Sequence, residues 1–372
     1  MKIFLLGTAY PFRGGLASYN ERLMQEFSRM GHETHIYTFT LQYPSFLFPG
    51  KTQFSADPPP KDLQITQAIN SINPLNWWKV GRKISKEKPD IVLCKFWLPF
   101  MGPAFGTIAR LIKRNKHTKF ITIIDNIIPH EKRVGDRLFA QYFVNACDGF
   151  IAMSKAVLEE LKGFTKSQNT RFIPHPIYDN FGEIVPKKEA RAWLSVAEND
   201  KILLFFGFVR KYKGLDILLE AMKDKRIREK NIKLIIAGEY YGDKVEYDAQ
   251  IVEGNLQNVV LQKPDFISNE EVKYYFSAAD VVVQPYKTAT QSGISQMAYH
   301  FEKPMIVTNV GGLPEIVPNE VCGYVTEVSA SAIADAIVAY YEGEKEAIFT
   351  EGVRREKAKY AWNVMAEAIL GL

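Results

Sequence analysis

Three cysteines in 372 residues, Cys94, Cys147 and Cys322, are too few and too far apart to staple the chain. An odd count without a C-x-x-C pair excludes a disulfide framework and argues against a zinc site. All three are expected to be reduced core thiols. Long apolar runs are missing too. The longest tract, Phe96 to Ile112, is broken by Pro99 and Pro103 and ended by Arg110, short of the ~18 residues a spanning helix needs. No charged start, apolar middle and small-residue cleavage site opens the chain, because Met1 to Gly7 reads directly as a strand. A cytoplasmic protein is expected. There is no G-x-G-x-x-G dinucleotide fingerprint, no D-x-D motif that would hold a divalent metal, and no nucleic-acid module.

What is present is enough chain for two domains of ordinary size. The net charge of +5 conceals an asymmetry. Residues 1–183 carry 24 Lys and Arg against 15 Asp and Glu, a net +9; residues 184–372 carry 23 against 27, a net −4. A basic first half suits an anionic partner, such as a membrane surface or a phosphate-bearing lipid.

The first half opens as strand, loop and helix: MKIFLLG, TAYPFRGG, then an apolar stripe of Leu16, Tyr19, Leu23, Phe27 and Met30 closed by Gly31. HETHIYTF follows as a strand. Gly14 and Gly15 stand at the helix entrance, where absent side chains let backbone amides approach a ligand; an ordinary tight turn is the alternative. Residues 40–60 form an irregular, aromatic, proline-rich insertion, either a surface loop or a cover over a binding site. FITIID is a further strand, and Asp125, Asn126, Pro129, His130 and Glu131 come just after it. Polar groups past the carboxyl end of a parallel strand lie where open α/β sheets bind ligands.

The second half alternates strands and helices, which implies a parallel sheet with crossover helices. Its central stretch is Ile202 to Met222. ILLFF is a strand buried on both faces, and Leu215, Leu218, Leu219 and Met222 make the apolar stripe of the next helix. Between them lie Arg210, Lys211 and Lys213, just before Gly214. Cations on a strand-to-helix turn make a phosphate site: Arg210 binds bidentately and Lys213 acts as a point charge. A solvated basic turn is the bland alternative. The amides of Ser292, Gly293 and Ile294 open another helix and are suited to capping a phosphate.

The G-x-x-R-x-x-K-G string ending at Gly214, followed by an amphipathic helix, resembles the donor-phosphate motif of the retaining glycosyltransferases called family 4. NVVLQKPDFISNEEVKYYFSAADVVVQPY and GGLPE at residues 311–315 resemble the same family. The resemblance implies an α/β GT-B fold, two Rossmann-like domains facing a cleft. It divides the chain into an acceptor domain over 1–178, a donor domain over 189–350, and a C-terminal helix over 351–372 returning to the first domain. Arg210 and Lys213 are then expected to hold the diphosphate of a UDP- or GDP-sugar. Gly14, Gly15, Gly238, Pro264, Phe266, Gln291, Ser292, Gly293 and Ile294 complete the donor site. Asp125 stands where the family often has a His near the transferred sugar; His130 takes over part of that role or is a loop histidine. Two departures stand out. Phe208 occupies the place where many members have the Arg, and Ala289 and Met297 replace two glutamates, with Gln291 and Gln296 as neighbouring polar groups.

The function implied is metal-independent, cofactor-free transfer of a sugar with retention, to a saccharide acceptor. Basic charge and aromatics favour a lipid-linked acceptor at the inner membrane face, in surface polysaccharide or glycolipid assembly. A soluble acceptor is the second choice. A non-catalytic, nucleotide-sugar-binding partner of another transferase is the reading from a different class, motivated by the missing glutamates. No nucleic acid is expected as a partner.

Overall fold

In a computed structural model of the chain, which describes residues 1–44, 53–55, 58–128, 133–242, 244–289 and 292–372, runs of three to nine residues, most of them rich in apolar side chains, become the strands of two all-parallel sheets. The chain divides into two compact units. Unit 1 comprises Met1–Pro174 and Trp362–Leu372; unit 2 is His175–Ala361.

Unit 1 contains β1 (Lys2–Leu6), β2 (Glu33–Leu41), β3 (Ile65–Asn70), β4 (Ile91–Phe96), β5 (Lys119–Ile124), β6 (Gly149–Ala152) and β7 (Thr170–Phe172), in the order β3-β2-β1-β4-β5-β6-β7. Strand pleating sends alternate side chains to opposite faces. Phe4, Leu6, Val92, Cys94, Phe96 and Phe120 share one core with Val80, Ile84, Phe105, Ile108 and Phe143. That face is therefore covered by the helices Pro74–Glu87, Gly102–Ile112 and Asp136–Val144. Lys95 points the other way, toward the helix Gly15–Arg29, with its Nζ 3.3 Å from the centre of the Tyr19 ring.

Unit 2 contains β8 (Lys201–Phe206), β9 (Ile232–Ala237), β10 (Val260–Lys263), β11 (Val281–Gln284), β12 (Met305–Thr308) and β13 (Gly323–Thr326), in the order β10-β9-β8-β11-β12-β13. Leu215, Leu218, Leu219 and Met222 are all buried, as their spacing requires. In both sheets the order reverses beside the first strand, at β1/β4 and at β8/β11. Ligands of open α/β sheets bind outside the carboxyl ends of the strands at such a reversal.

Two boundaries differ from the expected ones. Unit 2 begins at His175, so Pro176 and Tyr178 belong to it and not to the first domain. Nor does the whole segment 351–372 return: the helix Glu346–Lys357 stays with unit 2, and only Trp362–Leu372 joins unit 1. The physical reason is the placement of anchors. Val353 and Tyr360 are buried in the unit 2 core, whereas Trp362 packs on Tyr19 with ring centres 5.1 Å apart and lies under the Arg22 guanidinium at 5.2 Å. Arg171 then donates to the carbonyls of Ala368 and Gly371 at 3.1 and 2.5 Å.

Residues 45–52 and 56–57 of the aromatic, proline-rich insertion lie outside the described residues.

Asp280 ties the first helix of unit 2 to its sheet. It accepts from Arg191 Nη2 at 2.8 Å and from the Ile202 amide at 2.7 Å, and Lys187 also pairs with it. Both Asp280 and Arg191 are buried. Removing one member of a buried pair leaves an uncompensated charge, so Asp280→Ala is expected to destabilise unit 2 by about 3–5 kcal/mol. A lowered urea midpoint followed by tryptophan fluorescence checks this.

Candidate active site

Unit 2 builds its site from loops at the carboxyl ends of β8, β9 and β11. The loop after β8 is pressed against its neighbours by backbone contacts. The Val209 amide donates to the Glu239 carbonyl, and the Tyr241 amide to the Val209 carbonyl, each at 2.9 Å; the Lys287 amide donates to the Tyr212 carbonyl at 2.7 Å. Glycine is needed where these loops meet. A Cβ on Gly238 would lie 2.4 Å from the Gly207 carbonyl oxygen, and one on Gly214, at φ +69°, would lie 1.9 Å from the Pro285 oxygen.

This packing carries Lys213 back over Gly207. Its Nζ is 3.2 Å from where a Gly207 Cβ would stand, at the same distance as the Ile294 Cδ1. Lys213 is only 8% exposed, with the Tyr286 ring 5.7 Å from its Nζ. Among the described residues neither the Lys213 ammonium nor the Arg210 guanidinium has a hydrogen-bond or ion-pair partner. Their neighbours do: Lys211 pairs with Glu246 and Lys287 with Asp216, at 3.5 and 2.7 Å. Burial, and secondarily the charge of Arg210, lower the Lys213 ammonium to a pKa of about 8. Keeping it protonated at neutral pH therefore costs the fold on the order of 3 kcal/mol, which an anion would return. Arg210 is exposed, its guanidinium 4.9 Å from the Tyr241 ring.

The helix Gly293–His300 starts beside these cations. Ser292 caps it, its Oγ accepting from the Ile294 amide at 3.2 Å and lying 3.3 Å from the Tyr286 hydroxyl. The remaining first-turn amides and the positive end of the helix point at the same region. The structure thus brings Arg210, Lys213, Gly238, Ser292, Gly293 and Ile294 into one cluster. Pro264 and Phe266 lie farther out, exposed in the loop after β10. Gln291 lies outside the described residues, whereas Gln296 is fully buried with neither amide atom hydrogen-bonded. Met297 is packed into the apolar core and Ala289 lies against it, so neither glutamate position offers a polar group.

In unit 1 the helix Gly15–Arg29 begins just after Gly14, as expected. Asp125 follows β5, and its amide donates to the Phe96 carbonyl at 2.9 Å. Its partner is Lys95 of β4, whose Nζ is 3.3 Å from Asp125 Oδ1. Burial raises the Asp125 pKa against the opposing pull of Lys95, and burial lowers that of Lys95. Lys95 was not singled out in the sequence. Its signal was there: a single cation inside the apolar strand IVLCKF must find a partner, since a buried charge without one is too costly. At the neighbouring end of β1, Thr8 Oγ1 and Asn20 Oδ1 are buried without a hydrogen-bond partner among the described residues. His130 lies outside the described residues.

Among the described residues no cluster of three or more His, Cys, Asp or Glu is placed to hold a metal ion, and no helix is long and apolar enough to cross a membrane.

The family model Glycosyltransferase Family 4 matches residues 13–181, and Glycosyl transferases group 1 matches residues 186–355. The chain belongs to this glycosyltransferase family, and its two parallel-sheet domains are those of the GT-B fold. An uncharacterized glycosyltransferase of Methanocaldococcus jannaschii is 26% identical over 99% of this chain and 96% of its own length. The lipopolysaccharide 1,2-N-acetylglucosaminetransferase of Salmonella typhimurium is 27% identical, over 49% of this chain and 50% of its own. The Anabaena HepE structure in complex with UDP superposes with a TM-score of 0.74 at 18% identity, covering 100% of both chains.

A diphosphate bound beside Lys213 raises its pKa again, so binding above pH 8 must take up a proton. Nucleoside diphosphate affinity is therefore expected to be flat below about pH 8 and to fall up to about tenfold per pH unit above it. Lys213→Arg should remove the fall, as titration calorimetry across pH 6.5 to 9.5 can test (roughly the window set by the shifted lysine).

Proposed function

We propose that this protein transfers a sugar, with retention of configuration, from a nucleoside diphosphate sugar to a lipid-linked saccharide acceptor. Unit 2 binds the donor and unit 1 the acceptor. The observation that carries the reading is the pair of cations without counter-ions among the described residues: a buried Lys213 beside a helix N-terminus, and an adjacent Arg210. Charge develops on the diphosphate as the sugar leaves, and donors already oriented toward it lower that barrier most. Arg210, Lys213 and the first-turn amides of the helix Gly293–His300 supply them. On this reading no metal and no cofactor is required, because the two cations neutralise the departing diphosphate themselves.

Asp125 accepts a hydrogen bond from a sugar hydroxyl, and Lys95 keeps that carboxylate ionised against its burial. A lipid-linked acceptor is supported by the excess of basic residues in the first half of the chain and by the likeness to a lipopolysaccharide transferase. Uridine as the base is supported by the likeness to a protein whose structure contains UDP. The site of action on this reading is the cytoplasmic face of a membrane.

The test is a panel of UDP-, GDP-, ADP- and TDP-sugars, scored for binding and for slow hydrolysis. One donor should bind and be hydrolysed. Arg210→Ala and Lys213→Ala should each weaken it by about ten- to a hundredfold, the worth of a charge-assisted hydrogen bond. Binding with no turnover, even when acceptor lipids are supplied, would identify a non-catalytic partner subunit. Binding untouched by both substitutions would sink the reading.

Lys95→Met removes the cation opposing protonation of Asp125. The acid limb of the kcat/KM profile should then move to higher pH, while donor affinity stays unchanged.

A further inference from the structure

The helices Pro74–Glu87, Gly102–Ile112 and Asp136–Val144 lie side by side over one face of the unit 1 sheet. Close packing fixes them as a layer: a Cβ on Gly81 would lie 2.7 Å from Leu111 Cβ, and one on Gly102 would lie 2.3 Å from the Phe139 oxygen. Ser85 Oγ donates to the Ile112 carbonyl at 3.2 Å, and Arg110 Nη2 to the Tyr142 carbonyl at 2.7 Å. The sides turned away from the sheet form one outward surface.

That surface is unusual in two ways. It exposes large apolar side chains: Leu75 at 73%, Trp78 at 48%, Val134 at 107%, Leu138 at 75%, Phe139 at 41% and Tyr142 at 39%. Leu138 and Tyr142 lie one turn apart on the helix Asp136–Val144, so they share a stripe, and Val134 lies just before that helix. It also carries exposed cations, Lys79, Arg82, Lys86, Arg114 and Arg137, none paired with a carboxylate among the described residues. Some cations elsewhere on unit 1 do find partners, as Lys2 does with Glu33, Arg22 and Arg29 with Glu26, and Lys162 with Glu159. The only acids within 74–87, 102–115 and 133–144 are Glu87, which accepts from Tyr37 OH at 2.8 Å, and Asp136, which is buried and caps the Arg133 amide at 2.7 Å. The Arg82 guanidinium lies 4.8 Å from the Trp78 ring, so apolar and cationic groups share the same patch.

Direction matters as well. Each helix follows a parallel strand and so begins at the carboxyl end of the sheet, where Asp125 lies. Leu75, Trp78, Leu138 and Phe139 sit in the first halves of their helices, together with Lys79 and Arg137; Arg82 lies mid-helix, and Lys86 and Arg114 sit at or beyond the far ends. Most of the exposed apolar groups therefore lie toward the rim nearest the candidate acceptor site, with cations among and behind them.

We propose that this three-helix face docks on an anionic lipid bilayer, the apolar rim entering the headgroup layer and the cations resting against lipid phosphates. A protein partner of ordinary composition would not call for so many cations without a single exposed acid, whereas a negatively charged membrane does. The geometry delivers Asp125 and its surroundings to the membrane surface. That last step rests on the lipid-linked acceptor proposed above; the docking itself does not.

The test is co-sedimentation of the full chain with vesicles of phosphatidylcholine alone and with phosphatidylglycerol added. Binding is expected only with the anionic lipid, and should weaken as salt is raised. Arg82→Ala and Arg137→Ala should each reduce it about fivefold, the worth of one cation near an anionic surface. Trp78→Ser and Leu138→Ser should each reduce it about tenfold or more. These side chains are outward-facing, so circular dichroism and nucleotide-sugar binding should match the unsubstituted protein. No vesicle binding, equal binding to both compositions, or binding unchanged in all four variants would overturn the proposal. Vesicle binding without any nucleotide-sugar binding would leave the docking face standing and remove the transferase reading, while the reverse result would remove the docking face alone.

Discussion

The structure of unit 2 depends on a positive charge held out of water with no carboxylate opposite it among the described residues. Most buried lysines are paired, or are replaced by apolar residues over time, because the desolvation of an ammonium is seldom repaid. Lys213 is kept buried by the turn that holds it, and that turn is locked by the glycines at 214 and 238, where neighbouring backbone leaves no room for a side chain. The glycine contacts, the capped helix beside them and the Tyr286 ring all serve one arrangement: an anion-shaped gap in the charge balance of the fold. Arg210, exposed at its edge, adds reach to it.

Unit 1 solves its charge problem differently. Lys95 also sits in an apolar strand, but Asp125 is supplied from the next strand end, so the charges balance internally. One unit is built to accept negative charge from outside, and the other holds a neutral pair with buried acceptors nearby at Thr8 and Asn20. On the reading proposed above, the same sheet topology serves two kinds of recognition, one for a diphosphate and one for hydroxyl groups. The difference comes from one residue position per strand end and not from the fold.

Much of this was legible in the sequence. Unbroken apolar runs such as ILLFF could only be strands covered on both faces, and Leu215, Leu218, Leu219 and Met222 marked the helix after them. The cations at 210 and 213 stood out as a candidate phosphate site because their place on a strand-to-helix turn has a physical meaning, and the structure brings Lys213 beside Ile294 at the start of the helix Gly293–His300. What was not legible depended on contacts between distant segments. Nothing near Asp125 in the chain announces Lys95, 30 residues earlier. Likewise, the amphipathic character of residues 351–372 suggested one strap. Only tertiary packing separates Val353 and Tyr360, which fill the core of unit 2, from Trp362, which seats on Tyr19. The outward face of the three helices was hinted at by basic residues among aromatics, but which of those aromatics are core and which are exposed follows from the register of each helix on the sheet.

Because Trp362–Leu372 completes unit 1, that unit is assembled from two separate segments, with all of unit 2 inserted between them. On a ribosome, unit 2 has every one of its residues before unit 1 does. The first sheet is made early, yet the surface around Tyr19 and Arg171 stays uncovered until Trp362–Leu372 emerges. Order of synthesis and order of completion are reversed, so a nascent chain stalled just before Trp362 would carry a finished second unit and an unfinished first one.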